Sequence, residues 1–457
     1  MIPLLLACAT ETVSDSEVLG DSSGPALPEI DALDALSTRV VLPGQVHTLL
    51  VEDLDGDGHD DLVGGMPGYH RVGNEGAVAL MSGPLEAGEH SELDGLLVGS
   101  EEASSLGSSL ATVDLEQDGT LELVVAAQGQ TATTRDQGAV LFMGVAPLID
   151  GSLDGHSTGR ALGRGIGDHL GQELAVGDFD DDGLPEVAAG APYAFVEDRF
   201  GAGVVVLLGA PIEEDYDLDT LDGIEGSFDR GELGWALAAG DLDGDGIDDL
   251  AVCAANQGDD GALLVYSGPI QGVLTSMDGL TIDAERDEPD FTRGVEAGDV
   301  DGDGFDDLLV TVGPEFEASA TPATTWLIPG PPEAGNMPDR ALASFVASEI
   351  ELLHTQGQHV LVEDIDGDGL HDVVIGNTEA PSEGGEATAG HLRLWYGPLT
   401  GQLVEPDWER AGTSYGQALG RALGFGDLDD RPGGEISISS WSTEGDSMVL
   451  LQPLPQL

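Results

Sequence analysis

GDLDGDGIDDLAV, residues 240–252, puts four acidic side chains, Asp241, Asp243, Asp245 and Asp249, within nine positions around Gly246. So much like charge in one turn is unfavourable unless something positive sits among the carboxylates. Nearly the same stretch occurs five more times, as EDLDGDGHDDL (52–62), VDLEQDGTLEL (113–123), GDFDDDGLPEV (177–187), GDVDGDGFDDL (298–308) and EDIDGDGLHDV (363–373). A seventh, degenerate copy is GDLDDRPGGEI (426–436). The first acids of the seven stretches, Asp53, Asp114, Asp178, Asp241, Asp299, Asp364 and Asp427, are spaced by 61, 64, 63, 58, 65 and 63 residues. A period of about 62 residues means one structural unit used seven times.

Each unit has the same internal order. Seven residues before most of the first acids stands a Gly, often after Leu: Leu106-Gly107, Leu170-Gly171, Leu233-Gly234 and Leu419-Gly420. A run of small and apolar residues leads into the acidic loop, and a short β-type run follows it (DLVGG, ELVVAA, EVAAGAP, DLAVCAA, DLLVTVG, DVVIGN, EISISS). A third run is opened by Gly, as in GAVALMSGP or GALLVYSGP, and a less regular segment, often containing DG, fills the remainder. Short β-rich runs punctuated by Gly and Pro, with no long 3.6-residue period, predict strands. About four strands per unit is one propeller blade. The expected fold class is therefore all-β, a seven-bladed β-propeller of four-stranded blades over residues 37–457, with the alanine- and serine-rich first run innermost.

Ring closure is also predicted. The chain stops soon after the third run of unit seven (SMVLLQPL), which leaves that blade one strand short. The run Thr38-Arg39-Val40-Val41-Leu42 precedes unit one and is expected to complete blade seven. The alternative, an open solenoid, would leave two unpaired terminal edges.

The six matched loops supply carboxylates at positions one, three, five and nine and Gly at six. The expected metal ligands are Asp53, Asp55, Asp57 and Asp61; Asp114, Glu116, Asp118 and Glu122; Asp178, Asp180, Asp182 and Glu186; Asp241, Asp243, Asp245 and Asp249; Asp299, Asp301, Asp303 and Asp307; and Asp364, Asp366, Asp368 and Asp372. Alternating acids on a tight turn aim their oxygens at one point, and position seven is variable, as suits a carbonyl ligand. A flexible all-oxygen cage fits Ca2+ better than Mg2+, and zinc or iron would call for His or Cys at fixed positions. Up to six Ca2+ ions are expected. EF-hand geometry is excluded, because position twelve, where that motif needs an acid, is Gly64, Val125, Ala189, Val252, Val310 or Ile375. In the seventh loop Arg431 stands at position five and Pro432 at six, which suggests a guanidinium in place of the ion.

The whole chain is acidic, with 87 Asp and Glu against 14 basic residues, all Arg, for a formal charge of −73. Such a field disfavours nucleic acid and anionic membranes as partners; part of it also fits an acidic, high-salt proteome. The two cysteines, Cys8 and Cys253, stand in unlike contexts, and Cys253 in LAVCAA reads as a buried core residue. The opening MIPLLLACAT carries LLAC, which resembles the lipobox of bacterial lipoproteins, where Cys8 would be acylated. No basic residue precedes the short apolar run, so a truncated ordinary signal is the competing reading. Residues 1–8 are thus expected to be a leader and 9–36 a flexible acidic spacer. The expected location is extracytoplasmic, lipid-anchored on a bacterial surface or secreted. No stretch approaches the ~20 apolar residues of a spanning helix.

Taken together, the Leu-Gly pairs, the DxDxDGxxD loops and GAP-like runs such as EVAAGAP and LVGGMP resemble the FG-GAP repeat family, best known from the N-terminal propeller of integrin alpha subunits. The resemblance covers residues 37 to 457. It implies calcium in the matched loops on one face of the ring and a protein or glycan ligand on the opposite face. That face would carry the loops between second and third strands. Among them, APYAFVEDRFGAG offers Tyr193, Phe195, Arg199 and Phe200, and GMPGYHRVGNEG offers Tyr69, His70 and Arg71. The competing reading is ordinary loop packing. No HExxH, CxxC, GxSxG or phosphate loop is present, and GDSSG (20–24) falls in the spacer. The expected function is a monomeric adhesion or recognition module without catalysis. The alternatives are a calcium-dependent carbohydrate-active enzyme, marked by a basic-plus-acidic cluster in a deep pocket, and a structural envelope component.

Overall fold

The computed structural model describes residues 38–453 apart from 70–74, 100–102, 132–134, 145–150, 153–156, 213–214, 258–260, 284–293, 313–323, 347–358, 379, 381–388, 400, 404, 413–417, 430–433 and 442–446. The leader, the spacer, Cys8, His70, Arg71, Arg431 and Pro432 lie outside the described residues.

Seven antiparallel four-stranded blades form a ring. Blade one is Thr48–Glu52, Asp61–Met66, Ala77–Met81 and Gly95–Val98; blade two is Leu106–Val113, Glu122–Ala127, Ala139–Gly144 and Ser157–Leu162. Blade three is Leu174–Gly177, Glu186–Ala191, Val204–Leu208 and Gly223–Glu225; blade four is Leu233–Gly240, Asp249–Ala254, Ala262–Tyr266 and Leu280–Asp283. Blade five is Gly294–Gly298, Asp307–Val312, Thr324–Ile328 and Ala343–Val346; blade six is His359–Glu363, Asp372–Asn377, His391–Trp395 and Trp408–Ala411. Blade seven takes Leu423–Gly426, Glu435–Trp441 and Ser447–Pro453 from the end of the chain and Thr38–Leu42 from its start. That closure is antiparallel, from Thr38 opposite Leu451 to Leu42 opposite Ser447, as the sequence predicts. First strands of neighbouring blades touch all round the ring, so they are innermost.

The apolar material is divided into seven clusters, each between one pair of neighbouring blades. Val187 and Ala189 face blade two, while Ala188 between them faces blade four. Second and third strands are therefore buried on both faces, which is why they read as continuous apolar runs rather than as alternating ones. Cys253 is one of these residues and is fully buried.

The irregular segment between third and fourth strands has a role that the sequence does not announce. It lends a short parallel strand to the outer edge of the preceding blade: Glu89–His90 to Thr38–Leu42, Gly151–Ser152 to Gly95–Val98, Val273–Thr275 to Gly223–Glu225, Gly335–Asn336 to Leu280–Asp283, and Gly401–Leu403 to Ala343–Val346. Five of the seven sheets thus have a fifth strand, which covers two or three residues of the outer edge that would otherwise be open to pairing with other chains.

Candidate metal centres and the opposite face

Every acidic loop joins a first strand to a second, so all seven lie on one face of the ring. In blade four, Asp241 Oδ1 accepts the N–H of Gly244 at 2.8 Å and its Oδ2 accepts that of Gly246 at 3.0 Å. Asp243 and Asp245 each accept the amide two residues on, at 3.2 and 3.0 Å. Gly246 has φ +87°, a left-handed conformation that excludes most other residues. Blades one, five and six repeat this bonding. The turn is therefore built by its own aspartates before any ion is considered.

Position nine does two jobs. Asp249 is buried; its Oδ2 accepts Leu242 N–H at 3.1 Å and its Oδ1 accepts Gly268 N–H at 2.9 Å. Asp61, Asp307 and Asp372 make the same pair of bonds, to Leu54 and Gly83, Val300 and Gly330, and Ile365 and Gly397. Position nine thus clasps the loop to the exit of the third strand. Burial pushes its carboxyl up, to about 6 in Asp61, Asp249 and Asp372 and about 7 in Glu186 and Asp307, with the other loop acids adding repulsion. Glu122 is raised for the same reasons.

The donors fit a hard cation. Carboxylate oxygens lie within 4.8 Å of one another in the sets Asp53/Asp55/Asp57, Asp178/Asp180/Glu186, Asp241/Asp243/Asp245, Asp299/Asp301/Asp303 and Asp364/Asp366/Asp372. In blade three, Asp178 Oδ1 is buried and accepts no hydrogen bond, which is costly unless a cation meets it. His59 and His371, at loop positions seven and eight, belong to none of these five sets. In blade seven, Glu435 is pushed up to about 8 by burial and by Asp429 beside it.

On the opposite face, the loop after the second strand of blade three presents Phe195 and Phe200 edge to face, centroids 5.0 Å apart, each about half exposed at 53% and 49%. The connection entering blade four lies against them. Arg230 N–H donates to Phe200 O at 2.7 Å, the Arg230 guanidinium sits 6.0 Å over the Phe200 ring, and Phe228 is exposed nearby. Tyr193 is instead packed between His169 and Trp235, and Arg199 pairs with Glu197. The loop singled out from sequence is thus divided, with Phe195 and Phe200 outward and Tyr193 inward. Phe228 and Arg230 were not legible as their partners.

The first strands surround a central channel with a volume of about 510 Å3. Glu173, held by Ser109 Oγ at 2.8 Å, and Glu296 line it from blades three and five. His47 and His359 line it from blades one and six, and Arg421 of blade seven donates to His47 Nδ1 at 3.2 Å. Burial, then Arg421, holds both imidazoles neutral, lowered to about 3. Loss of bulk water, with Glu173 and Glu363 adding repulsion, raises Glu296 to about 8.

Comparison with known proteins agrees with this architecture. A model of the FG-GAP repeat matches residues 46–81, 170–208, 233–266 and 291–325. The phosphatidylinositol-glycan-specific phospholipase D of Rattus norvegicus is 33% identical over 149 residues, 30% of this chain and 18% of that protein. Integrin alpha pat-2 of Caenorhabditis elegans is 27% identical over 255 residues, 50% of this chain and 19% of that protein. Integrin alpha-7 of Rattus norvegicus is 34% identical over 139 residues, 30% of this chain and 12% of that protein. The match spans less than a fifth of the length of each of these relatives. With its sevenfold loop-and-strand unit closed into a ring, the chain carries FG-GAP repeats in four of its units, and its seven-bladed propeller resembles that of integrin alpha.

Proposed function

We propose that this propeller is a calcium-binding, extracytoplasmic recognition module that docks a protein or glycan ligand on the face opposite its acidic loops. The observation that carries the reading is the exposed Phe195/Phe200/Phe228 cluster with Arg230. Aromatic side chains with an arginine are what binding hot spots are made of, and three part-exposed phenylalanines are costly for a surface with no partner. Carboxylate cages of this kind hold Ca2+ with dissociation constants on the order of 10⁻⁴–10⁻³ M in extracellular modules. Such sites fill outside the cytoplasm, in keeping with the leader-like opening. Cys8 would serve as lipid anchor, and the module acts as a monomer without catalysis.

The test is a glycan and extracellular-matrix binding screen with calcium and with chelator. A hit is expected to depend on calcium and to weaken roughly 30-fold in Phe195→Ala/Phe200→Ala, the scale of losing one hot spot. A hit indifferent to that double substitution would remove the patch from the interface.

A second reading has one observation in its favour. The channel is lined by the acids Glu173 and Glu296, which repel one another, and by His47 and His359, with Arg421 donating to His47; a pair of carboxyl groups is what glycoside hydrolysis uses. Turnover of an anionic polysaccharide, abolished in Glu173→Gln, would establish it in place of pure recognition.

A further inference from the structure

Position eight of the acidic loops is not a metal ligand in the pattern, yet it reaches the neighbouring loop. Asp248 of blade four accepts the backbone N–H of Asp178 of blade three through Oδ2 at 2.8 Å, and its own N–H donates to Asp178 O at 3.3 Å. Asp306 of blade five does the same to Asp241 of blade four, at 2.9 and 3.1 Å. His371 N–H of blade six donates to Asp299 O of blade five at 2.9 Å, and Asp60 Oδ2 of blade one accepts Asp427 N–H of blade seven at 2.7 Å. In each case the partner is position one of the preceding loop.

What admits this contact is the residue just before position one. It is Gly177, Gly240, Gly298 and Gly426 in the four loops that are reached. A Cβ there would stand 2.9 Å from Asp248 Oδ2, 2.6 Å from Asp306 Oδ2, 2.7 Å from His371 Nδ1 and 2.6 Å from Asp60 Oδ2. In the other three loops that residue is Glu52, Val113 or Glu363. The following blades there carry Leu121, Pro185 and Gly434 at position eight, none of which has a side-chain acceptor. Glycine in one loop and a polar position eight in the next occur together or not at all.

We infer that position eight couples adjacent calcium sites. Position one is a ligand of its own loop, and position eight is bonded covalently to position nine, a ligand of the next. An ion that orders Asp241 therefore also orders Asp306 and, through it, Asp307. Sites three, four, five and six form one coupled arc, whereas sites one and two titrate independently. The inference rests on calcium binding by these loops and adds that the sites are not independent; Asp248, Asp306 and His371 are positioning residues.

The experiment is a Ca2+ titration of the full chain, followed by NMR at the position-six glycine amides, Gly246 for site four and Gly304 for site five. Disabling site four with Asp243→Asn/Asp245→Asn is expected to shift the Gly304 midpoint to higher calcium by about fivefold or more, the lower end of ordinary coupling between sites. In an Asp306→Ala background the same lesion should leave Gly304 unmoved. Asp306→Asn, which retains an acceptor oxygen, should keep the coupling. Glu52→Gly/Leu121→Asp should create it, making Gly119 of site two respond to loss of site one. A Gly304 midpoint indifferent to site four in the otherwise unaltered chain overturns the coupling, while glycine amides that ignore calcium altogether overturn calcium binding and the coupling with it.

Discussion

Removing calcium is expected to lower the thermal midpoint of this protein by roughly 10 °C relative to 10 mM calcium. An ion bound at about 10⁻³ M adds about 1.4 kcal/mol at ten times its dissociation constant, and six such sites add about 8 kcal/mol. Spread over the unfolding entropy of a domain of this size, that is a shift of roughly 10 °C. The structure says where the loss falls. With no ion, three carboxylates in each of five loops stay within 4.8 Å of one another, and position nine can no longer share its charge with a cation. Differential scanning calorimetry in calcium and after chelation and dialysis measures the shift. Equal midpoints would mean that the acidic turns are held by their backbone bonds alone.

The same groups give the metal-free protein an inverted pH response. Folded Asp61, Asp249 and Asp372 titrate near 6, and Glu186 and Asp307 near 7, above the ~4 of an unfolded carboxylate. The folded chain therefore holds protons that the unfolded chain has already released. Stability from this source is fully present below about pH 4 and is lost as pH rises through 6 to 7. Urea midpoints of the calcium-free protein should fall between pH 5 and pH 8. In saturating calcium the trend should flatten or reverse, because the ion binds only the ionised form.

Much of this was legible in the sequence because a repeat announces itself. The period of about 62 residues, the glycine at loop position six and the run Thr38–Leu42 ahead of unit one were enough for the blades, the loops and the ring closure. What was not legible depends on contacts between units. The lent strands EH, GS, VLT, GN and GQL share no apolar pattern, because backbone pairing to another blade defines them. Position nine looks like a fourth ligand, and only the fold shows that both its oxygens also hold backbone amides. The channel residues draw on five different blades, His47 and Arg421 standing 374 positions apart, and nothing local marks these residues as neighbours.

The second large effect is expected at the contact that gives the repeat its signature. Gly234 of the Leu-Gly pair lies against Gly190 of the run EVAAGAP in the preceding blade, and a Cβ on Gly190 would stand 2.1 Å from Gly234 O. Gly65 with Gly107 and Gly376 with Gly420 make the same backbone-to-backbone approach, with clashes of 2.5 and 2.1 Å to the facing carbonyl oxygen. The small residue is thus required by the neighbouring blade and not by the strand that carries it. Where a Leu-Gly pair follows, the position is Gly65, Ala126, Gly190 or Gly376; where none follows it is Cys253, Thr311 or Ser439. Ala126 shows that one carbon is tolerated when the turn gives way, so Gly190→Ala should cost about 1–3 kcal/mol, the usual scale of overpacking. Gly190→Val adds two branches against a main-chain carbonyl that has nowhere to move, and should cost about 4 kcal/mol or more. Cys253→Ala, at the equivalent place in a blade that no Leu-Gly pair follows in the sequence, should stay within about 1.5 kcal/mol. Urea denaturation in saturating calcium compares the three. If Gly190→Val proved as mild as Cys253→Ala, the paired glycines would not be what lets neighbouring blades approach.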